Sequence, residues 1–182
     1  MAPASRVHTR EGGATRRLDA PASSVRAGWF AIAAAILLAD QATKWMALRW
    51  LDSTAVEVTG FFNLVLAFNR GAAFSFLADA PGWQGLVFSA FAVVAGAVIS
   101  VLIWRDPGRR LFCLGLALIL GGAIGNLIDR LRIGHVVDFM DLHAFGWHWP
   151  TFNVADSGIT VGAALLILDS FLDRRTDHGS VR

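Results

Sequence analysis

The chain has 182 residues, of which 55% are hydrophobic and only 16% are charged, and its formal net charge is +2. A soluble domain carries about a quarter charged residues, so this composition and the mean hydropathy of +0.53 favour an integral membrane protein. The small net charge, with arginines spread along the chain, argues against nucleic-acid binding, and the single cysteine, Cys113, excludes an intrachain disulfide.

The first segment, Met1 to Arg26, is rich in Ala, Pro, Ser and Arg and lacks apolar periodicity. A cleaved signal peptide needs an apolar core followed by a small-residue cleavage site. The apolar run after Arg26 leads instead into Asp40 and Lys44. We therefore predict that residues 1–26 form a disordered cytoplasmic tail.

Four later segments are long and apolar enough to cross about 30 Å of hydrocarbon as helices, which takes about 20 residues each. They are Ala27–Leu48, Pro81–Trp104, Leu111–Ile128 and a segment from about Asp156 to Leu172. The pattern predicts an all-α membrane protein in which residues 27–172 form one four-helix domain. Residues 173–182 are predicted to be a second cytoplasmic tail.

Basic residues predict the orientation of these helices. Eleven arginines lie in the two tails and in the connection between the second and third segments, against four in the other connections. Because cytoplasmic segments carry the excess of Lys and Arg, both termini are predicted to be cytoplasmic.

The two outward-facing connections are the longer ones. The first contains Val56–Thr59 and Phe61–Phe68, whose β-branched and aromatic residues predict a small β-rich segment at the membrane surface. The second carries Trp147 and Trp149, which suit an interfacial anchor.

Ionisable residues at membrane depth are costly and mark candidate functional sites. Here they gather at the outer ends of the predicted helices and in the outer connections, together with several asparagines. The ionisable residues are Asp40, Lys44, Asp129, Arg130, Asp138, Asp141 and Asp156, and the asparagines are Asn63, Asn69, Asn126 and Asn153. This one-sided clustering predicts a site at the outer membrane interface.

Five short motifs occur in order along the chain. They are Asp40-Gln-Ala-Thr-Lys44, Asn69-Arg-Gly71-Ala-Ala-Phe-Ser-Phe76, Gly125-Asn126-Leu-Ile-Asp129-Arg130, Val136-Val-Asp138-Phe139 and Phe152-Asn153-Val-Ala-Asp156-Ser157. Together they resemble the lipoprotein signal peptidases, or signal peptidase II, an aspartyl peptidase family, over roughly Ala27 to Leu172. The resemblance implies removal of the signal peptide from diacylglyceryl-modified prolipoproteins by cleavage just before the lipidated cysteine.

By this resemblance, Asp138 and Asp156 are the catalytic pair. Two carboxylates that share a proton can supply both the base that activates water and the acid that protonates the carbonyl. Asp156 opens the fourth helix, whose N-terminus favours an ionised carboxylate. Asp138 is predicted to lie in a loop beside apolar residues, where it would hold the shared proton.

The resemblance also implies supporting roles for further residues. Asn69 and Asn153 are expected to orient the pair or the substrate backbone, although Asn69 before Arg70-Gly71 also suits a turn. Arg130 is open to three interpretations: it holds a substrate carbonyl, it pairs with Asp129, or it anchors the third helix. The supporting set is Asn69, Gly71, Asn126, Asp129, Arg130, Asn153, Asp40 and Lys44.

Asp40 and Lys44 stand four residues apart, on one helix face, and are expected to form an ion pair. Asp169, toward the cytoplasmic end, is predicted to be an interface anchor. The expected partners are lipidated prolipoproteins and membrane lipid, with a monomeric enzyme and no cofactor or metal.

Two other functions compete with this one. A zinc peptidase is suggested by His135, His143 and His148 in one connection, but their spacing matches no metalloprotease helix motif. A transporter or channel is suggested by the charges near the membrane, but transport favours charges at mid-bilayer and a repeated architecture. The middles of the second and third helices carry no charge.

Overall fold

The computed structural model describes residues 22–69 and 83–177. Four α-helices make up most of this part of the chain: α1 (Ala22–Trp50), α2 (Trp83–Arg105), α3 (Arg110–Ile133) and α4 (Val154–Asp177). Each contains a stretch of 20 to 28 residues whose length and hydropathy suit a membrane crossing. The prediction of four membrane helices is confirmed.

Helices α1, α3 and α4 are longer than the sequence predicted. Helix α1 begins at Ala22, so residues 22–26 do not belong to a disordered tail, and α4 continues through residues 173–177 of the predicted second tail. Helix α3 includes Asp129 and Arg130 and ends at Ile133, and the next residue, Gly134, is a left-handed cap with φ of 77°. Hydropathy marks only the apolar middle of a helix, whereas the backbone hydrogen bonds continue into polar residues at its ends. Residues 1–21 and Pro81 lie outside the described residues.

Helix α3 lies at the centre of the bundle, because glycines on two of its faces let neighbouring helices approach closely. A Cβ atom on Gly121 would overlap the carbonyl oxygen of Ala33 on α1, and one on Gly122 would overlap that of Ala155 on α4. A buried cluster of α1, α2 and α3 side chains completes the core: Ala33, Ile99, Ile103, Leu116, Ala117 and Leu120.

Much of the apolar surface of the bundle faces outward. On α2, Leu86 is 74% exposed and Phe91 is 70% exposed. A soluble monomer rarely exposes apolar patches of this extent. Lipid is the environment that such a surface requires, in agreement with the composition.

A four-stranded antiparallel sheet, with strand order β1-β2-β3-β4, lies at one end of the bundle. Its strands are β1 (Val56–Thr59), β2 (Phe62–Asn69), β3 (Val136–Ala144) and β4 (Trp147–His148). The first two strands were predicted. Strands β3 and β4 were not, and the prediction that Asp138 lies in a loop is wrong. Strand β3 forms because β2 supplies its hydrogen-bonding partner, with Ala67 opposite Asp138 and Asn69 opposite Val136.

Strands β3 and β4 belong to an arm that leaves α3 and returns to α4. The arm turns at Phe145 and Gly146, which have φ values of 52° and 79°. Its two sides are joined again at its base, where Met140 and Phe152 exchange backbone hydrogen bonds of 2.9 and 3.1 Å. The base of the arm therefore holds the start of β3 beside the segment that leads into α4.

Polar contacts also join the helices at the opposite end of the bundle. The Arg109 guanidinium, before α3, lies 2.6 Å from both Asp169 and Asp173 of α4. The Trp29 indole of α1 donates to the Pro107 carbonyl at 3.0 Å. Asp169, predicted only as an interface anchor, therefore also links α4 to the connection between α2 and α3.

The close packing of α3 against α4 gives a first prediction. Gly122→Ala should lower the free energy of unfolding by about 1–3 kcal/mol, because the new methyl group meets rigid backbone at Ala155. Thermal unfolding in detergent micelles measures this effect. Gly28→Ala is the matched control, since none of the residues described lies within 4 Å of its Cβ position. Equal unfolding midpoints for the two variants would contradict this account of the packing.

Candidate active site

Asp138 lies on β3 with its side chain fully buried. One carboxylate oxygen accepts a hydrogen bond of 2.7 Å from the Asn153 amide, and the other accepts one of 3.1 Å from the Asn69 amide. Asn69 reaches it because Asn69 ends β2, the strand that pairs with β3. The sheet thus places an amide donor on each oxygen of a carboxyl that water does not solvate.

Asp156 lies in the first turn of α4, and Asn153 immediately precedes that helix. The Asn153 side-chain oxygen accepts from the Asp156 backbone N–H at 2.9 Å, while the Asn153 backbone N–H donates to the Asp156 carboxylate at 3.3 Å. This reciprocal pair has the form of a capping box, which satisfies backbone donors left open at a helix N-terminus. The other Asp156 oxygen accepts from Asn126 at 2.8 Å.

Asn153 therefore contacts both carboxylates. Its side-chain amide donates to Asp138 and its backbone N–H donates to Asp156. It is fully buried, and its amide also lies 3.2 Å from the Val137 carbonyl. The start of α4 and the start of β3 are joined through this one residue.

Burial, and after it the neighbouring charge of Asp156, raise the pKa of Asp138 to about 6, although the hydrogen bonds from Asn69 and Asn153 oppose the shift. Desolvation and a like charge both disfavour the ionised form. A carboxyl with this pKa takes up and releases a proton near neutral pH, as acid–base chemistry requires.

A second cluster lies behind the two carboxylates and is centred on Lys44. Its ammonium forms ion pairs of 2.8 Å with both Asp40 and Asp129 and donates to the Asn126 amide oxygen at 2.9 Å. The predicted Asp40–Lys44 ion pair is therefore present and includes a third member. Asp40 also accepts from the backbone N–H of Ala155 at 2.9 Å.

Sequence reasoning missed Gln41. Its amide donates to Asp129 at 3.0 Å and to the Gly125 carbonyl at 3.2 Å, so it connects α1 to α3. The position of Gln41 in the first motif could have indicated this contact. Gln41 and Lys44 are three residues apart, so they lie on the same face of α1, and both contact Asp129 of α3.

Arg130 contacts the backbone of Asn126, whereas Lys44 contacts its side chain. Its guanidinium donates to the Asn126 backbone carbonyl at 3.3 Å and lies over the Phe88 ring, 5.5 Å from the centroid. Its Nε atom is buried without a hydrogen-bond partner among the residues described. The Asp129 carboxylate, the partner that one interpretation gave Arg130, instead forms an ion pair with Lys44 and accepts hydrogen bonds from Gln41 and the backbone N–H of Val137.

The three histidines of the zinc alternative have different neighbours in the structure. His135 packs on Phe68, while His143 stacks on His148 with a centroid distance of 5.0 Å. Within residues 22–69 and 83–177, no three His, Cys, Asp or Glu side chains are grouped as a metal site requires. His148 instead lies 2.9 Å from the Asp141 carboxylate.

Asp141 contacts His148 and Asn63 rather than the two carboxylates described above. Burial alone would raise the pKa of Asp141, but hydrogen bonds from His148 and Asn63 outweigh it and hold the pKa below its ordinary value. Asp141 and Asn63 face each other across β2 and β3. Among the predicted supporting residues, Gly71 lies outside the described part of the chain.

The fold and the two polar clusters together define a class of protein. It is an integral membrane enzyme whose buried acids lie at one end of a four-helix bundle, beside a small sheet.

Comparison with known proteins narrows this class. A family model described as Signal peptidase (SPase) II matches residues 32–172. The chain is 55% identical over 160 residues to a lipoprotein signal peptidase of Paraburkholderia phytofirmans, covering 85% of this chain and 93% of that one. It is 51% identical over 162 residues to one from Cupriavidus necator, covering 88% and 93%.

A solved bacterial membrane enzyme has the same fold. Its TM-score with this chain is 0.72 at 28% sequence identity, covering 86% of this chain and 93% of that structure. The chain belongs to the signal peptidase II family. It is a membrane peptidase that removes the signal peptide from lipoprotein precursors.

The raised pKa of Asp138 gives a second prediction. Because the folded state binds this proton more tightly than the unfolded chain does, the contribution of Asp138 to stability is greatest at low pH and is lost as pH rises through about 6. Asp138→Asn should therefore weaken the pH dependence of the unfolding midpoint between about pH 4 and pH 7.

Thermal unfolding at the two pH values, for wild type and variant in the same detergent, measures this difference. Asp52→Asn is the control, since Asp52 is exposed in the loop after α1 and should leave the wild-type dependence intact. An unchanged dependence in Asp138→Asn would show that Asp138 binds protons equally in the folded and unfolded states.

Proposed function

We propose that Asp138 and Asp156 are the catalytic pair, and that the enzyme cleaves just before the lipidated cysteine of a diacylglyceryl-modified prolipoprotein. The observation that carries the proposal is the bridge through Asn153, which donates to both carboxylates. The ordinary role of a buried aspartate is to pair with a cation, as Asp40 does with Lys44. Asp138 and Asp156 instead receive amide donors, which orient carboxylates without neutralising them.

In this proposal Asp156 is the base and Asp138 holds the proton. Asp156 takes a proton from water as the oxygen attacks the scissile carbonyl carbon, while Asp138 donates its proton to the carbonyl oxygen. A gem-diol forms without net charge on the peptide. Asp156 then protonates the leaving nitrogen, Asp138 recovers a proton from a gem-diol hydroxyl, and the C–N bond breaks.

The surrounding groups have supporting roles in this scheme. Asn69 and Asn153 keep the Asp138 carboxyl oriented, and Asn126 does the same for Asp156. The buried Nε of Arg130, which has no hydrogen-bond partner within residues 22–69 and 83–177, is a donor suited to a peptide carbonyl of the substrate.

We further propose that the pair faces the outer side of a bacterial inner membrane, with both termini in the cytoplasm. The arginine distribution supports this orientation. Helices α1 and α3 end, and α4 begins, at the end of the bundle that carries the sheet and both polar clusters. The partners are then lipidated precursors and the surrounding lipid, met by a monomeric domain spanning residues 27–172.

The catalytic assignment gives a third prediction. Asp138→Asn and Asp156→Asn should each lower the cleavage of a purified lipidated precursor by roughly 10³-fold or more, because each removes the acid or the base. Asp52→Asn, an exposed outer carboxylate, should cleave at the wild-type rate. Substantial turnover by either catalytic variant would refute the assignment, and loss of activity with EDTA that zinc restores would favour the histidine alternative.

The orientation gives a fourth prediction, tested by thiol labelling in a Cys113→Ala background. A cysteine at Gly108, in the exposed connection between α2 and α3, should react only after the inner membrane is opened. A cysteine at Phe145, the fully exposed tip of the arm, should react in intact spheroplasts. The reverse labelling pattern would place the site on the cytoplasmic side.

A further inference from the structure

The buried ammonium of Lys44 has all three of its donors occupied. Two donate to Asp40 and Asp129, and the third donates to the side-chain oxygen of Asn126 at 2.9 Å. The Lys44 side chain is only 3% exposed. An ammonium has donors and no acceptor, so any group that it contacts must present an acceptor.

This requirement determines which way the Asn126 amide points. Its oxygen accepts from Lys44 and, at 3.3 Å, from the Asn153 amide. Its nitrogen then points the other way and donates to Asp156 at 2.8 Å. A flipped Asn126 would place an NH₂ group against a buried ammonium and a carbonyl oxygen against a carboxylate. Both contacts would be repulsive in a region that excludes water.

We propose that Lys44 is a positioning residue for the peptidase reaction: it fixes the orientation of the Asn126 amide and thereby keeps an N–H donor directed at Asp156. The proposal rests on the assignment of Asp156 as the catalytic base and adds the group that maintains its environment. Lys44 does not touch substrate in this scheme. Its effect reaches the reaction through one amide.

Charged and polar groups on three of the described elements lie near Asp156. Asp138 faces it from β3, Asn126 and Arg130 from α3, and Lys44 lies behind Asn126 on α1, paired with Asp40 and Asp129. A mutation at Lys44 can therefore affect Asp156 in two ways. It can release the Asn126 amide from its orientation, and it can remove a nearby positive charge that favours the ionised carboxylate.

A double-mutant cycle separates the two routes. The four proteins are wild type, Lys44→Met, Asn126→Ala and the double variant, in the full-length chain. The readout is the pH midpoint at which the protonated carboxyl band of Asp156 disappears, measured by infrared titration and assigned by subtracting the Asp156→Asn spectrum. This measurement needs no turnover, so weakly active variants remain informative.

We expect Lys44→Met to raise the midpoint by roughly one to two pH units, the worth of a hydrogen bond to a charged group. In the Asn126→Ala background, Lys44→Met should change the midpoint by less than a third of that shift. An equal shift in both backgrounds would overturn the proposal in favour of the electrostatic field. An unmoved midpoint in Lys44→Met would show that Lys44 serves only the stability of the bundle.

Two controls address folding. Removing Lys44 leaves two buried carboxylates without their cation, which is strongly destabilising. A triple variant, Lys44→Met with Asp40→Asn and Asp129→Asn, removes that penalty and should show the same dependence on Asn126. Ile103→Ala opens a cavity in the core away from the polar clusters. It should lower thermal stability without moving the midpoint.

The failure of the catalytic assignment would be seen separately. It would appear as cleavage by Asp156→Asn, whatever the result of the cycle. The failure of the present inference would appear as equal shifts in enzymes whose cleavage still depends on Asp156.

Discussion

The buried carboxylates impose the constraint on which the rest of this structure depends. Asp40, Asp129 and Asp138 are all less than a tenth exposed, at one end of a bundle whose outer surface is apolar. An ionised carboxylate in such a place costs several kcal/mol unless donors surround it. The protein offsets this cost in two different ways. Asp40 and Asp129 are paired with a cation, whereas Asp138 is hydrogen-bonded to amides.

Asp40 and Asp129 each form an ion pair of 2.8 Å with the same ammonium, so both carboxylates are held by a buried cation. Asp138 accepts hydrogen bonds from two neutral amides, and burial still raises its pKa to about 6. The glycines of α3 make both arrangements geometrically feasible. At Gly125, a Cβ would lie 2.5 Å from the Asp40 carboxylate, so even one methyl group there would displace the ion pair.

The sequence was sufficient to predict the parts that depend on local pattern. Four apolar stretches predicted the four helices, and the family resemblance of the motifs singled out Asp138 and Asp156, the two acids that contact Asn153. The Asp40–Lys44 ion pair followed from helical spacing alone. The strand that holds Asp138 was missed, because its apolar residues do not alternate and its partner, β2, lies some 70 residues earlier in the chain.

The contacts among Lys44, Asn126 and Gln41 were likewise beyond sequence reasoning. They join α1 to α3 across more than 80 residues, and their geometry depends on how closely two helices pack. A motif marks a residue as belonging to a site but does not say which of its atoms faces which neighbour. For an asparagine, whose two ends have opposite hydrogen-bonding character, that detail decides its role.

The arm between Asp138 and Asp156 has a further consequence. Its two sides are joined at the base by the backbone bonds between Met140 and Phe152. Because these bonds fix the base of the arm, the chain between Met140 and Phe152 can change in length without altering the separation of the two acids. A change of length at the exposed tip around Phe145 would leave the base of the arm, and the residues held there, in place.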